Sequence, residues 1–410
     1  MHSISRLTVL LAALLAFAAG TVAAVSAHAS HNKQRDPGTL DKSFSGNGIA
    51  RANLAPGTCK FCEASAEDVA VDSKGRIVAK ALVHRSPGFR TVLARYLPSG
   101  SLDDSFSSDG IKRFDYPLYG DFSVDSLNRI VLLAANSKLV RLGADGTPDP
   151  TFGGGDGEVE LTEGNAFAVD SQDRIVVTGP DRRGFSTAVT VTRYLADGSV
   201  DPSFDDSAEI GLSKGFDTKA ATAVSVDPDG GIFISTGVSN PDDDNNHGPP
   251  GLAKFLPNGG VDESFSEDGA VIAGSGGSSN DDGRVAIDSR GRIVVGTDGF
   301  IDRFRPNGNV DDTFSLDGRI RGTGGSSVAV DDHDRVLAAG SGEGLVRYRP
   351  NGNPSRSFGK DGVAKPAYLR SAALALDSHG RIVTVGALRI RNHGPAVADP
   401  HLLVARHFGG

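Results

Sequence analysis

Several things are scarce in this chain, and each scarcity narrows what it does. Basic residues number 42 against 51 acidic ones, a net charge of −9, and no run of lysine and arginine gathers into a patch. That excludes the electrostatic footprint of a nucleic-acid surface. Cysteine occurs twice, as Cys59 and Cys62 in Thr-Cys-Lys-Phe-Cys-Glu. A zinc site needs a second ligand pair, and no Cys-x2-Cys or His-x3-His follows. A redox pair belongs in a βαβ context, which is missing. The two are expected to form a small disulfide pinning one loop, in the oxidising compartment of an exported protein. Helical periodicity is absent. So are the G-x-S-x-G elbow, the H-E-x-x-H pair and the phosphate-binding loop.

Past residue 29 no apolar run is long enough to span a bilayer. The run before it reads as a targeting segment. Arg6 gives a positive start, Leu7 to Val25 is uncharged and apolar, and Ala27-His28-Ala29 is a small-x-small cleavage site. Cleavage after Ala29 is expected, the rival being an uncleaved anchor. Residues 30–36 are polar and read as a flexible arm, leaving 37–410 as one domain, secreted or held at the cell envelope.

What the chain has in quantity is glycine, 53 residues, and internal repetition. Three phrases recur in fixed order. One is a small-Asp-x-Ser/Thr-Phe turn whose phenylalanines are Phe44, Phe106, Phe152, Phe204, Phe265, Phe314 and Phe358. Their spacings of 62, 46, 52, 61, 49 and 44 residues match propeller blades. The second is an apolar run, a turn aspartate and another apolar run, as in Val285 to Val295. Its aspartates are Asp72, Asp125, Asp170, Asp227, Asp288, Asp331 and Asp377. The third is a strand ending in a basic-aromatic pair and a Pro-Asn-Gly-like turn, as in Arg303 to Gly308.

Each unit reads as four strands. A is the Val-Ala-Val-Asp run, B the Arg-Ile-Val-Val run, C the Val-Arg-Tyr-Leu run, and D follows the Phe turn. The A–B turn carries Gly, Asn or Asp three residues after the aspartate, types that tolerate positive φ. The middle of strand A is always small (Ala70, Ser123, Ala168, Ser225, Ala286, Ala329 and Ala375) between larger apolar neighbours. Alternate residues face opposite sides of a strand, so this pattern lets neighbouring sheets interdigitate near a common axis. The chain opens in a D phrase, Leu40 to Asn53, and ends in a C strand, Leu402 to Phe408. The expected fold is an all-β, seven-bladed propeller of four-stranded blades, its N-terminal strand closing the last blade and so removing open edges. Repeats that share a continuous core imply a single domain, expected to be monomeric.

At these phrases the chain resembles the delta-60 repeat family of bacterial propeller-like proteins. Leu97 to Gly110, Leu256 to Gly269 and Arg349 to Gly362 carry the first half of that repeat; Val69 to Val78 and Val328 to Val336 carry part of the second. The resemblance extends over nearly all of 37–410 and implies a propeller-like fold, with no activity attached. Asp205-Asp206-Ser207-Ala208 and Gly231 depart from the pattern.

The A–B and C–D turns of a propeller share one face, the B–C and D–A loops the other. Here the first set is uniform and the second varies, with long B–C connections at Val83–Thr91, Gly179–Thr187, Gly237–Gly251 and Leu388–His401. Function sits on variable loops held by a rigid scaffold. Binding is therefore expected on that face and at the channel mouth, with Arg85, Phe89, Arg182, Arg183, Phe185, Arg389, Arg391 and His393 as candidates for holding a protein or an anionic glycan. Asp242, Asp243 and Asp244 offer oxygen ligands for Ca²⁺ without the spacing of a dedicated loop; no other cofactor is expected. His393, His401 and His407 crowd the last unit without converging carboxylates. The repeated turn aspartates read as turn caps. Without tryptophan, the tryptophan-bearing blades of quinoprotein propellers are excluded. A binding scaffold is the leading reading; an extracellular metal-assisted lyase or lactonase, and a structural wall protein, are the alternatives.

Overall fold

A computed structural model describes residues 36–54, 63–85, 88–118, 120–134, 138–162, 164–180, 189–206, 217–239, 251–272, 284–325, 327–340, 344–365, 369–388 and 401–410. The segment expected to target export, Cys59 and Cys62 lie outside them. Seven antiparallel sheets follow one another along the chain, each beginning with strand A and running outward through B and C, with D next in the six blades where it is described. In blade 1 these are Glu63–Val71, Ile77–Arg85, Gly88–Tyr96 and Ile111–Arg113. In blade 5 strands B and C form one continuous element, Ile293–Phe304, whose first part pairs with A and whose second part pairs with D. The place of the fourth strand of blade 3 lies outside the described residues.

The last blade is closed as its sequence phase implies. Its strands A, B and C are Leu369–Leu376, Ile382–Leu388 and His401–His407, and its outermost strand is Ile49–Asn53 from the other end of the chain. Ile49 pairs with Ala405 and Asn53 with His401. The turn between C and D is rebuilt from both ends. The Gly38 amide donates to the Phe408 carbonyl and the Phe408 amide to Thr39, as Gly100 donates to Leu97 and Leu97 to Ser101 in blade 1. Gly38 has φ +83°, matching +93° at Gly100. Glycine is required at both, because a side chain would meet the previous blade's Phe turn.

Small and large residues of strand A interlock around the axis. Ala70 of blade 1 packs with Phe122 and Val124 of blade 2. Ala286 packs with Val328 and Val330, Ala329 with Leu374 and Leu376, and Ala375 with Val69 and Val71, which completes the ring. At each A–B turn one residue has positive φ: Gly75, Asn128, Asp173, Gly230, Gly291, Asp334 and Gly380. The turn aspartate caps it, as Asp72 does by accepting from the amides of Lys74 and Arg76. Blade 4 differs: Gly231 stands where Arg76 stands in blade 1, so only the backbone contacts to Asp227 remain.

In six of the seven blades a buried arginine at the end of strand C reaches the next blade. Arg303 is fully buried, donates from Nε to Asp311 at 2.8 Å, and stacks 4.3 Å over the Phe314 ring. Its Nη1 donates to the Pro350 carbonyl of blade 6 at 2.6 Å. Arg95, Arg141, Arg193 and Arg406 repeat the arrangement with Asp103, Asp149, Asp201 and Asp41. Arg406 reaches forward to the Pro98 carbonyl of blade 1, so the last blade is tied to the first. Burial alone would raise the Asp103 carboxyl, but hydrogen bonds from Ser105 and the Arg95 charge more than offset it and hold it below the usual range. Two blades vary the set. Blade 4 uses Lys254, 2.8 Å from Asp262. Blade 6 has Ser355 in the acid's place, 3.3 Å from Arg347 Nε. Burial, with the nearby Arg335 charge, pushes Arg347 down to about 10.

Candidate functional site at the channel mouth

Strand A runs from the loop face towards the A–B turn, lining the channel. Four residues before each turn aspartate, on the same side of the strand as the small residue, the seven blades carry Asp68, Asp121, Ala166, Ala223, Arg284, Ser327 and Ala373. Four of the seven are small and three are charged. Blade 5 lies opposite blades 1 and 2 in a ring of seven, and Arg284 spans the distance. Its Nη2 is 2.9 Å from Asp121 Oδ1 and 3.2 Å from Asp68 Oδ1. One cation thus crosses the axis to two carboxylates on adjacent blades.

The local fold explains where these side chains point. Blade 1 has a β-bulge at Glu67, between the paired residues Ala66 and Asp68. A bulge re-aims side chains and raises local twist. Blades 4 and 7 also have irregular register just before the equivalent residue. Asp68 is 5% exposed and accepts the Val69 amide at 2.9 Å. Lys80, fully buried on strand B, sits 2.9 Å from Glu67 Oε2 and donates to the Gly120 carbonyl of blade 2. Its counterparts in the other blades are Leu133, Thr178, Ser235, Gly296, Ala339 and Val385, so the buried ammonium is peculiar to blade 1. Burial raises the Asp68 carboxyl above the usual range; Arg284 opposes the rise and the Asp121 charge adds to it. The Arg284 and Asp121 side chains are 30% and 38% exposed, so solvent reaches the cluster. It offers guanidinium donors, carboxylate acceptors and one acid of raised pKa: chemistry for holding a polar or ionic group.

Of the loop-face candidates, Arg182, Arg183, Phe185, Arg389, Arg391 and His393 lie outside the described residues, as do Asp242, Asp243 and Asp244. Arg85 and Phe89 stand on paired strands. The stretch Val83–Thr91, expected as a loop, is a hairpin that extends strands B and C to the pair Arg85 and Gly88. Phe89 is 46% exposed, with its ring 4.8 Å from that of His84. His401 and His407 occupy opposite ends of one strand. Among the described residues, Asp331, Asp332 and His333 come within 4.8 Å of one another. Asp331 is already engaged by Arg335 Nε at 2.7 Å, and the group lies on the uniform turn face. The axial set was missed in the sequence, although aligning the seven strands A on their turn aspartates would have exposed it.

A family model described as "Domain of unknown function (DUF5122) beta-propeller" matches residues 75–106, 134–152 and 173–204, which supports a β-propeller repeat family. No curated protein matches the sequence. Among solved structures, the WD40 domain of Neurospora crassa Pan2 is similar at TM-score 0.51 and 10% identity, covering 91% of this chain and 98% of that one. At that identity the likeness speaks for the fold alone. Streptogramin B lyase is similar at TM-score 0.44 and 10% identity, over 88% of this chain and 97% of that one. The extracellular domain of the one component system BT4673 from B. thetaiotaomicron matches at TM-score 0.44 and 12% identity over 87% of this chain; this chain spans 40% of its length. Among the described residues no helix is long and apolar enough to cross a membrane.

Proposed function

We propose that this protein is an exported binding scaffold of the delta-60 repeat type, which holds a protein or glycan partner on its loop face, over the channel mouth. The observation that carries this reading is the axial position itself. Seven equivalent residues could all be small, as four are, yet three are charged and converge on one point. Exposed and partly buried charges that the ring's architecture does not require are typical of recognition sites. The expected targeting segment supports a partner outside the cytoplasm, in the cell envelope or beyond it.

The test is capture from cell-wall and exopolysaccharide fractions by the purified protein, with and without EDTA, beside Arg284→Ala. Capture by the native chain and its loss in the variant are expected. Undiminished capture by Arg284→Ala would overturn the channel-mouth assignment, and no capture at all would favour a structural wall protein. The raised Asp68 carboxyl supports a second reading, an extracellular enzyme of the lyase or lactonase type. A stoichiometric divalent ion in the purified protein would favour it.

A further inference from the structure

Beside the last blade's rebuilt turn, the outer edges of blades 6 and 7 leave a cavity of about 830 Å³. Strand D of blade 6 is only two residues long, Val363–Ala364, so the sheet edge stops short there. Lys42, Asn47, Lys360, Asp361, Lys365 and His407 are among the lining residues. Three lysines and one aspartate thus line the cavity. The volume falls within the range of small-molecule sites, roughly 300–1,000 Å³.

His407 departs from its repeat. The residue after the strand C basic side chain is Tyr96, Leu142, Tyr194, Phe255, Phe304 and Tyr348 in the other blades. In blade 7, one of the two blades that border this cavity, a buried imidazole replaces an aromatic or aliphatic group, and His407 is 1% exposed. Its Nδ1 lies 3.1 Å from the Gly38 carbonyl, which can only accept, so Nδ1 carries the proton. Nε2 then bears a lone pair, and it is buried with no hydrogen-bond partner among the described residues. A buried acceptor without a partner carries a desolvation penalty, and such a group in a native fold calls for an explanation. Burial, opposed by the Gly38 contact, pushes the ring down to about 4, so it is neutral at pH 7.

We propose that this cleft is a second binding site, separate from the channel mouth, for an acidic sugar: a polyol whose carboxylate pairs with the exposed Lys42 and Lys360 while a hydroxyl donates to His407 Nε2. Positive charge alone would admit any anion; the neutral acceptor adds a demand for a donor on the same molecule.

Calorimetric titration of the full chain at pH 7 with D-glucuronate, glucose, acetate and inorganic sulfate tests this. Glucuronate is expected to bind saturably, and the other three at least about tenfold more weakly, since glucose lacks the charge and acetate and sulfate lack a hydroxyl donor. Lys42→Gln with Lys360→Gln should weaken glucuronate by about tenfold or more. His407→Phe restores the repeat's own residue and should weaken glucuronate without lowering the melting temperature. Should that variant fail to fold, the lysine pair, which is exposed, still decides the matter. Arg284→Ala should bind glucuronate unchanged. Sulfate binding as tightly as glucuronate, no glucuronate binding, or glucuronate binding lost with Arg284 and kept in the lysine variants would each overturn the proposal.

Discussion

At the turn face and at the channel mouth the same sevenfold scaffold is used in opposite ways. On the turn face, one arrangement of arginine, aspartate and phenylalanine recurs in five blades and is adjusted in two, at Lys254 and Ser355. At the mouth, one equivalent position holds aspartate, alanine, arginine and serine. Repetition marks what holds the blades together. Departure from it marks what the ring carries, provided the departing residues meet. Asp68, Asp121 and Arg284 meet.

Breaking the repeated arrangement should cost most. Arg303→Ala leaves Asp311 buried without its cation, and urea denaturation should register a loss of about 3–5 kcal/mol. Next comes acid. His407 has its folded pKa pushed down to about 4, below the ordinary histidine value of about 6.5. The unfolded chain therefore takes up the proton first. Stability is complete above about pH 6.5 and falls as pH drops towards 4, by about 3 kcal/mol in all. The carboxylates that pair with the strand C arginines, such as Asp103 and Asp201, are held below their ordinary value, Asp201 at about 2, so their contribution is lost only at still lower pH. Denaturation midpoints across pH 4–7 should slope in the native chain and flatten in His407→Phe.

Repairing a departure should have a smaller effect. Ser355→Asp supplies Arg347 with the carboxylate its counterparts possess, and should stabilise by about 1 kcal/mol, since a new charge-assisted bond is partly offset by desolvation. The smallest effect on stability belongs to Arg284→Ala. Its partly exposed pairs are screened, and a change within about 1 kcal/mol is expected, read as a melting temperature nearly that of the native chain while partner capture is lost. A large destabilisation instead would place Arg284 with the architecture and dissolve the contrast between the two ends.

Blade count, strand order and closure were legible because each rests on local signals: the Phe turns, the positive-φ positions from Gly75 to Gly380, and the small residues of strand A. The loop assignment at Val83–Thr91 failed for a physical reason. Those strands run on with polar and charged residues such as His84 and Arg90, and a hairpin with little core to cover need not alternate apolar and polar side chains. The arginine of strand C was visible as a basic-aromatic pair, but its role was not. Its aspartate lies eight residues on, and its carbonyl partner belongs to another blade. The axial cluster is harder still. A lone arginine at position 284 looks like drift until the ring sets it opposite residues 68 and 121.

The rebuilt turn of the last blade has a topological consequence. The seam where Phe408 meets Gly38 has the same hydrogen bonds as the uncut turns. The ring is therefore indifferent to where the chain is cut. A circularly permuted chain, with Gly409 fused directly to Pro37 and new ends opened at Asn351–Gly352 in blade 6, would trace the same closed circle with its break moved one blade back.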